Sequence, residues 1–186
     1  MFKKNLAEFH KTMNKNRYYK DIKNYGEDIL ESDEFETALN QTHHSRTSVA
    51  KHSVLTAAEG LRISRRLEKM GIKVDEKKVV RLALLHDFGI LGRKEKFRNN
   101  YQCWREHPRD SLAIAKKLWP EIDEAGLKAI SRHMWPLSLK SPTDKEGMIL
   151  CLADKEESIK DFISDMRKKK GKLKLWKKDA KSPEND

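Results

Sequence analysis

Residues Arg81–Ile90 read RLALLHDFGI, an apolar helical run that ends in an adjacent histidine and aspartate, His86 and Asp87. A carboxylate in an apolar setting costs several kcal/mol, of the order of ~3–5, unless it is paired, protonated or bound to a metal. Asp87 therefore needs a partner from elsewhere in the chain. Working outward, four more isolated polar residues interrupt apolar helix faces: His52, His107, His133 and Asp154. Taken singly, such a histidine reads as a hydrogen-bonded core residue and such an aspartate as a cap or an ion-pair partner. Taken together, several helices each turn a nitrogen or oxygen donor inward, which suits one site for divalent Mn, Fe, Zn, Co or Mg rather than a thiolate site.

The flanking segments place these residues. From Ser48 to Met70, the residues Val49, His52, Thr56, Gly60, Ile63, Leu67 and Met70 recur at three- and four-residue spacing, so His52 lies on an inward stripe. Gly71 suits the position after that helix, and Asp75 caps the next, which Gly89 ends. Gly89 to Glu106 reads as a long loop. Pro108 suits a first helical turn, which puts His107 at an N-cap. A further helix from Glu121 to Met134, closed by Pro136, carries Ile122, Gly126, Ala129, Ile130 and His133 on one stripe. Asp144 caps the last long helix, on which Leu150, Cys151 and Asp154 share a face.

Upstream, residues 1–16 read as a frayed helix or an ordered arm. Ile22, Tyr25, Ile29 and Leu30 mark one helix, and Phe35 and Leu39 a second behind a Ser32 or Asp33 cap. Gln41–Thr47 (QTHHSRT) is polar and aperiodic, hence a loop. Its His43 and His44 read as a polar pair, with substrate contact or extra ligation as the other reading. The expected organisation is all-α: N-terminal cover helices over 1–45, a helical domain over 46–165 and a basic tail over 166–186.

Composition bounds the class. The 186 residues, 37% hydrophobic and 37% charged, with eight Gly and five Pro, fit one helical domain with a real core. No window approaches the ~18 apolar residues of a membrane span, and the N-terminus lacks a signal-peptide core, so a cytoplasmic location is expected. Cys103 and Cys151 form no CxxC pattern and read as reduced thiols. Of the net charge of +11, residues 167–186 contribute +6 and the remainder +5. A basic surface attracts phosphate-bearing ligands.

The order His52, His86-Asp87, Asp154 resembles the H…HD…D signature of the HD superfamily of metal-dependent phosphohydrolases. The segments TSVAKHS, LALLHDFG, EHPRDS, RHMWPL and LADKEES fit its texture from about Thr47 to Ser158. With His107 and His133 added, the chain resembles the members with six ligands and two metals. The resemblance implies a helical bundle in which His52, His86, Asp87 and Asp154 hold one ion and Asp87, His107 and His133 the other. It further implies hydrolysis of a phosphate ester, nucleotide or related, by a metal-activated water.

Asp87, His107, His133 and Lys155 are then the catalytic candidates. Phosphate charge would fall to Lys155 and Arg109, then to Arg132 and Lys94, with Arg93 also near the ligands. Trp104, Trp119 and Trp135 read as core or rim packing, although Tyr101 and Trp104 in the long loop could meet a nucleobase. Two departures narrow the class: His133 lies in RHMWP rather than HHExxxGxGYP, against cyclic-dinucleotide phosphodiesterases, and FGILGRKE after His86-Asp87 lacks the acidic pair of alarmone hydrolases. Two other readings stay open. One is a mononuclear enzyme with His107 or His133 as general acid. The other is a non-catalytic phosphate-ligand or nucleic-acid binding module using residues 167–181.

Overall fold

The structure is a computed structural model that describes residues 2–44 and 47–179, without the side chains of residues 2–4, 44 and 169–179. It is all-α apart from one small hairpin. In chain order the elements are α1 (Phe2–Met13), α2 (Tyr19–Leu30), α3 (Asp33–Asn40), β1 (Thr42–His44), β2 (Thr47–Ser48), α4 (Val49–Lys69), α5 (Glu76–Leu85), a 3-10 turn (Phe88–Ile90), α6 (Arg93–Lys96), α7 (Asn100–Leu118), α8 (Glu124–Ser131) and α9 (Lys145–Asp179). The antiparallel pair α4 and α5 forms the centre. Helix α9 lies on both, and α8 packs between α7 and α9.

Local chemistry sets the ends of the central pair. Ser48 accepts a hydrogen bond from the Lys51 amide at 3.3 Å and caps α4. At the other end Gly71, at φ 83°, allows the Ile72 amide to reach the Leu67 carbonyl at 3.0 Å and its own amide to reach that of Glu68 at 2.9 Å, a Schellman stop. Asp75 caps α5 through the Lys78 amide at 2.9 Å. The apolar stripe of α4 fades toward its C-terminus, where Met70, expected inside, is 70% exposed.

The N-terminal helices cover this pair. Tyr19, Ile22, Ile29, Leu30 and Phe35 are buried against it. Polar clamps fix the cover from its rim: Arg81 donates twice to Asp28 at 2.7 Å, and Arg65 pairs with Asp21 at 2.7 Å and Glu76 at 2.8 Å.

Several expectations need correction. QTHHSRT is no plain loop, because Thr42–His44 pairs with Thr47–Ser48. Gly89–Glu106 holds the 3-10 turn, α6 and the first two turns of α7, so His107 and Pro108 lie inside α7 rather than at its start. The true cap is Asn99, whose Oδ1 accepts from the Gln102 amide at 2.8 Å. The helix expected over Glu121–Met134 is α8 alone, capped by Asp123 at 2.7 Å from the Gly126 amide. His133 therefore lies past its end.

The backbone of α9 continues to Asp179, so the basic tail is not separated from the bundle by a break in the helix at residue 166. The SPEND end, and the side chains of residues 169–181 on which nucleic-acid contact would depend, lie outside the described residues. No helix among the described residues is long and apolar enough to cross a membrane. Cys103 and Cys151 are free and buried, and burial pushes the Cys151 thiol up to about 12.

Candidate metal centre

Two of the helix ends that carry donors end there because of the donors themselves. The Nδ1–H of His86 donates to the Ala83 carbonyl at 2.8 Å, and that of His133 to the Ile130 carbonyl at 2.7 Å. In a continuing helix those carbonyls would take the amides of Asp87 and Met134. The side chains compete for them, α5 stops at Leu85 and α8 at Ser131. His107, within α7, donates Nδ1–H to the Cys103 carbonyl at 2.8 Å. With Nδ1 given to a carbonyl, a neutral ring would turn its Nε2 lone pair to the interior, where each of the three could offer it to an ion.

The corner after His86-Asp87 is locked onto α7. Ser111 Oγ lies 2.6 Å from the His86 carbonyl and 2.9 Å from that of His107, and it accepts from the Gly89 amide at 2.9 Å. A Cβ on Gly89 would stand 2.1 Å from the His107 carbonyl oxygen, a backbone atom that cannot turn aside. Only glycine permits this approach, and the approach brings His107 to Asp87.

His52, His86, Asp87, His107, His133 and Asp154 are thereby brought together from five helices and their ends, and all are buried. Asp87 stands in the middle. Its Oδ2 faces His86 Nε2 at 3.2 Å and His52 Nε2 at 3.7 Å, while Asp154 Oδ1 lies 3.1 Å from His52 and 3.7 Å from His86. Its Oδ1 faces His107 Nε2 at 3.2 Å and His133 Nε2 at 3.4 Å. Sequence reasoning set His43 aside as a loop residue. It is buried on β1, with Nε2 2.7 Å from Asp87 Oδ2 and its ring stacked on His52 at 4.1 Å. The signal for it was positional, since a histidine just before the first donor helix can fold back over it.

Electrostatics follow from two buried carboxylates among imidazoles. Burial works against the charge on Asp87, but His86, His43, His107 and His133 hold its pKa well below the usual range. Burial likewise opposes Asp154, which His52, His86 and Lys155 keep ionised. Burial opposes a charge on His86 too, yet Asp87 and Asp154 lift it to about 10. Burial, with His86 and His107 beside it, takes His133 down to about 4.

The donor set fits metal. His107 and His133 point their Nε2 atoms at one another at 3.1 Å, and His86 Nε2 is buried without a hydrogen-bond partner among the described residues. At that distance the two nitrogens either share a proton or, as two lone pairs, need a cation beside them. Donor atoms around an ion bound at about 2.1 Å stand roughly 3.0–3.4 Å apart; the 3.1 Å and 3.2 Å separations fall in that range, and the 3.7 Å separation of His86 Nε2 from Asp154 Oδ1 lies a little beyond it.

One face of the centre opens into a cavity of about 400 Å³ lined by His43, Asp87, His107, His133 and Asp154 and by the apolar or aromatic Ile90, Cys103, Trp104, Met134 and Leu137. Of the cations considered from sequence, Lys155 is in the wall, with Nζ 2.5 Å from Asp154 Oδ2 and 3.0 Å from the His133 carbonyl. Arg93 is in it too. Arg109 and Lys94 are exposed and do not line it, and Arg132 instead donates to the Ser141 carbonyl at 3.0 Å. Tyr101 stacks on Trp104 at 5.9 Å beside the mouth.

Against known families, residues 49–159 match the model of the HD domain. No curated protein and no solved structure matches the chain.

Proposed function

Because this chain belongs to the HD domain family, we propose that it is a metal-dependent phosphohydrolase whose centre takes two divalent ions with Asp87 between them. The observation that carries the reading is the division of labour at Asp87: Oδ2 faces His52 and His86, and Oδ1 faces His107 and His133. His52, His86, Asp154 and Oδ2 would hold one ion, and His107, His133 and Oδ1 the other. When bound, such a pair lowers the pKa of a shared water toward neutrality and offsets the charge that builds on a phosphoryl group.

The protein's own groups do the rest. Lys155 is anchored by Asp154 and the His133 carbonyl, so its ammonium is held at the cavity wall where phosphate oxygens would lie. Arg93, fixed by Asn100 Oδ1 at 2.7 Å, lines the same cavity and supplies a second positive charge. The apolar wall of Ile90, Trp104, Met134 and Leu137 displaces water and takes the organic part of the ester. The substrate class is a small phosphate ester, with nucleotides included because the Tyr101–Trp104 stack offers a flat surface at the rim.

The test is elemental analysis of the purified protein together with hydrolysis of p-nitrophenyl phosphate. Two metal equivalents, falling to one in His107→Ala or His133→Ala, with hydrolysis lost in Asp87→Ala, is the expected result. A single equivalent untouched by either histidine substitution, or hydrolysis that survives Asp87→Ala, overturns the reading.

A further inference from the structure

We propose that His43 is a positioning residue: it donates its Nε2–H to Asp87 Oδ2 and holds that carboxylate in the orientation that gives one oxygen to each ion. This rests on the two-ion reading above and says which residue keeps the bridge in place.

His43, His52 and Asp87 stand close enough together to hold an ion, but the contact of His43 with Asp87 is the shortest any imidazole makes to that carboxylate among the described residues. The four other imidazoles stand 3.2 to 3.7 Å from an Asp87 oxygen, at or somewhat beyond the spacing of donors that flank a shared ion. His43 stands at 2.7 Å, shorter than the roughly 3.0 Å between neighbouring donors on an ion bound at about 2.1 Å and within the range of a charge-assisted hydrogen bond. A carboxylate oxygen has two lone-pair sites. On Oδ2 one accepts from His43, which leaves the other for an ion beside His52 and His86. Turning the carboxylate so that both oxygens met one ion would break this hydrogen bond.

His43 itself is held from three sides. Its ring lies on His52 at 15° between planes, its carbonyl accepts from Arg93 Nη1 at 3.4 Å, and its strand β1 pairs with β2, which leads directly into the helix of His52. A donor fixed in this way can fix its acceptor. Arg93 also lines the cavity, so the hairpin, the bridging carboxylate and the substrate wall are tied through one residue.

The experiment is a Mn(II) titration of the metal-free full-length protein, read as equivalents and affinity, for wild type, His43→Ala, His43→Phe and His43→Gln, with circular dichroism to verify folding. His107→Ala serves as the reference for a lost ligand. Expected for His43→Ala is two equivalents at saturation with affinity weakened about 10–100-fold, the usual cost of losing an outer-shell partner. His43→Phe keeps a ring on His52 without the N–H and behaves the same, while His43→Gln, whose amide can donate to the same oxygen, returns to within about threefold of wild type.

Wild-type affinity in His43→Phe would mean that stacking suffices and the hydrogen bond does nothing. Loss of a whole equivalent in His43→Ala, as in His107→Ala, would make His43 a ligand; either result overturns the proposal. Fewer than two equivalents in the wild type removes the bridge itself, and is distinguished by appearing without any substitution.

Discussion

His107 Nε2 and His133 Nε2 face each other at 3.1 Å, and each ring has already given its Nδ1–H to a carbonyl of its own turn. Neither ring can rotate to relieve the contact without leaving a buried carbonyl unpaired. On the two-ion reading proposed above, a cation beside Asp87 Oδ1 would relieve this contact. Metal binding is then linked to folding, because an ion that binds only the native state at ~1,000 times its Kd adds about 4 kcal/mol. Treatment with a chelator should lower the melting temperature by about 10 °C, and added Mn(II) or Zn(II) should restore it. A melting curve indifferent to chelator would show that the donors are satisfied without metal.

Gly89→Ala is expected to be among the most damaging single-methyl changes. Its Cβ would meet the His107 carbonyl oxygen at 2.1 Å and the Ser111 amide at 2.7 Å. The corner after Asp87 and α7 would have to part, at a cost of about 3 kcal/mol or more. Chemical denaturation measures that loss, and metal uptake should weaken with it, since Asp87 and His107 sit on the two sides of the contact. Comparable stability and uptake would show that the contact is not what aligns the centre.

Cations differ in ways that kinetics can read. Arg93→Ala should raise KM for a phosphate ester roughly tenfold, about 1.4 kcal/mol of binding, because Arg93 lines the cavity. Arg109→Ala should leave KM within about twofold, since Arg109 is exposed and outside the wall. The reverse ranking would place the phosphate on the other side of α7.

Asp28→Asn tests the clamp between cover and core. Arg81 hydrogen-bonds Asp28 and holds its carboxyl below the usual range; burial opposes this only in part. Asp28 is 57% exposed, so solvent screening keeps the expected loss near ~1 kcal/mol. A lowered folded pKa stabilises above the unfolded value of about 3.9. The difference between wild type and Asp28→Asn should thus be full at neutral pH and shrink as pH falls below about 4. Urea denaturation at pH 7 and pH 3 checks it, and a difference that grows on acidification would contradict this account.

Much of the frame was legible because its causes are local. Ser32, Ser48, Asp75 and Asp144 each accept from the backbone amide three residues on, as their place before apolar-periodic runs suggests, and Gly71 takes the positive φ expected of it. The errors were local signals misjudged. Pro108 suggested a helix start, yet Asn99 with Gln102 three residues on was the cap to read. His133 seemed to belong to a helix because the apolar stripe runs up to it, whereas its own ring takes the Ile130 carbonyl and ends that helix.

The sequence by itself determined the helical class and the order of His52, His86, Asp87, His107, His133 and Asp154, because an isolated polar residue on an apolar face is visible in a single turn of pattern. Only the tertiary structure decided that Asp87 divides its two oxygens between two histidine sets, that His43 joins them, and that Arg93 and Lys155 line the cavity while Arg109, Arg132 and Lys94 do not. The physical reason is range. Periodicity and capping act over three or four residues, while the side a hairpin folds to and the direction a charged side chain points are set by neighbours that are distant in the chain.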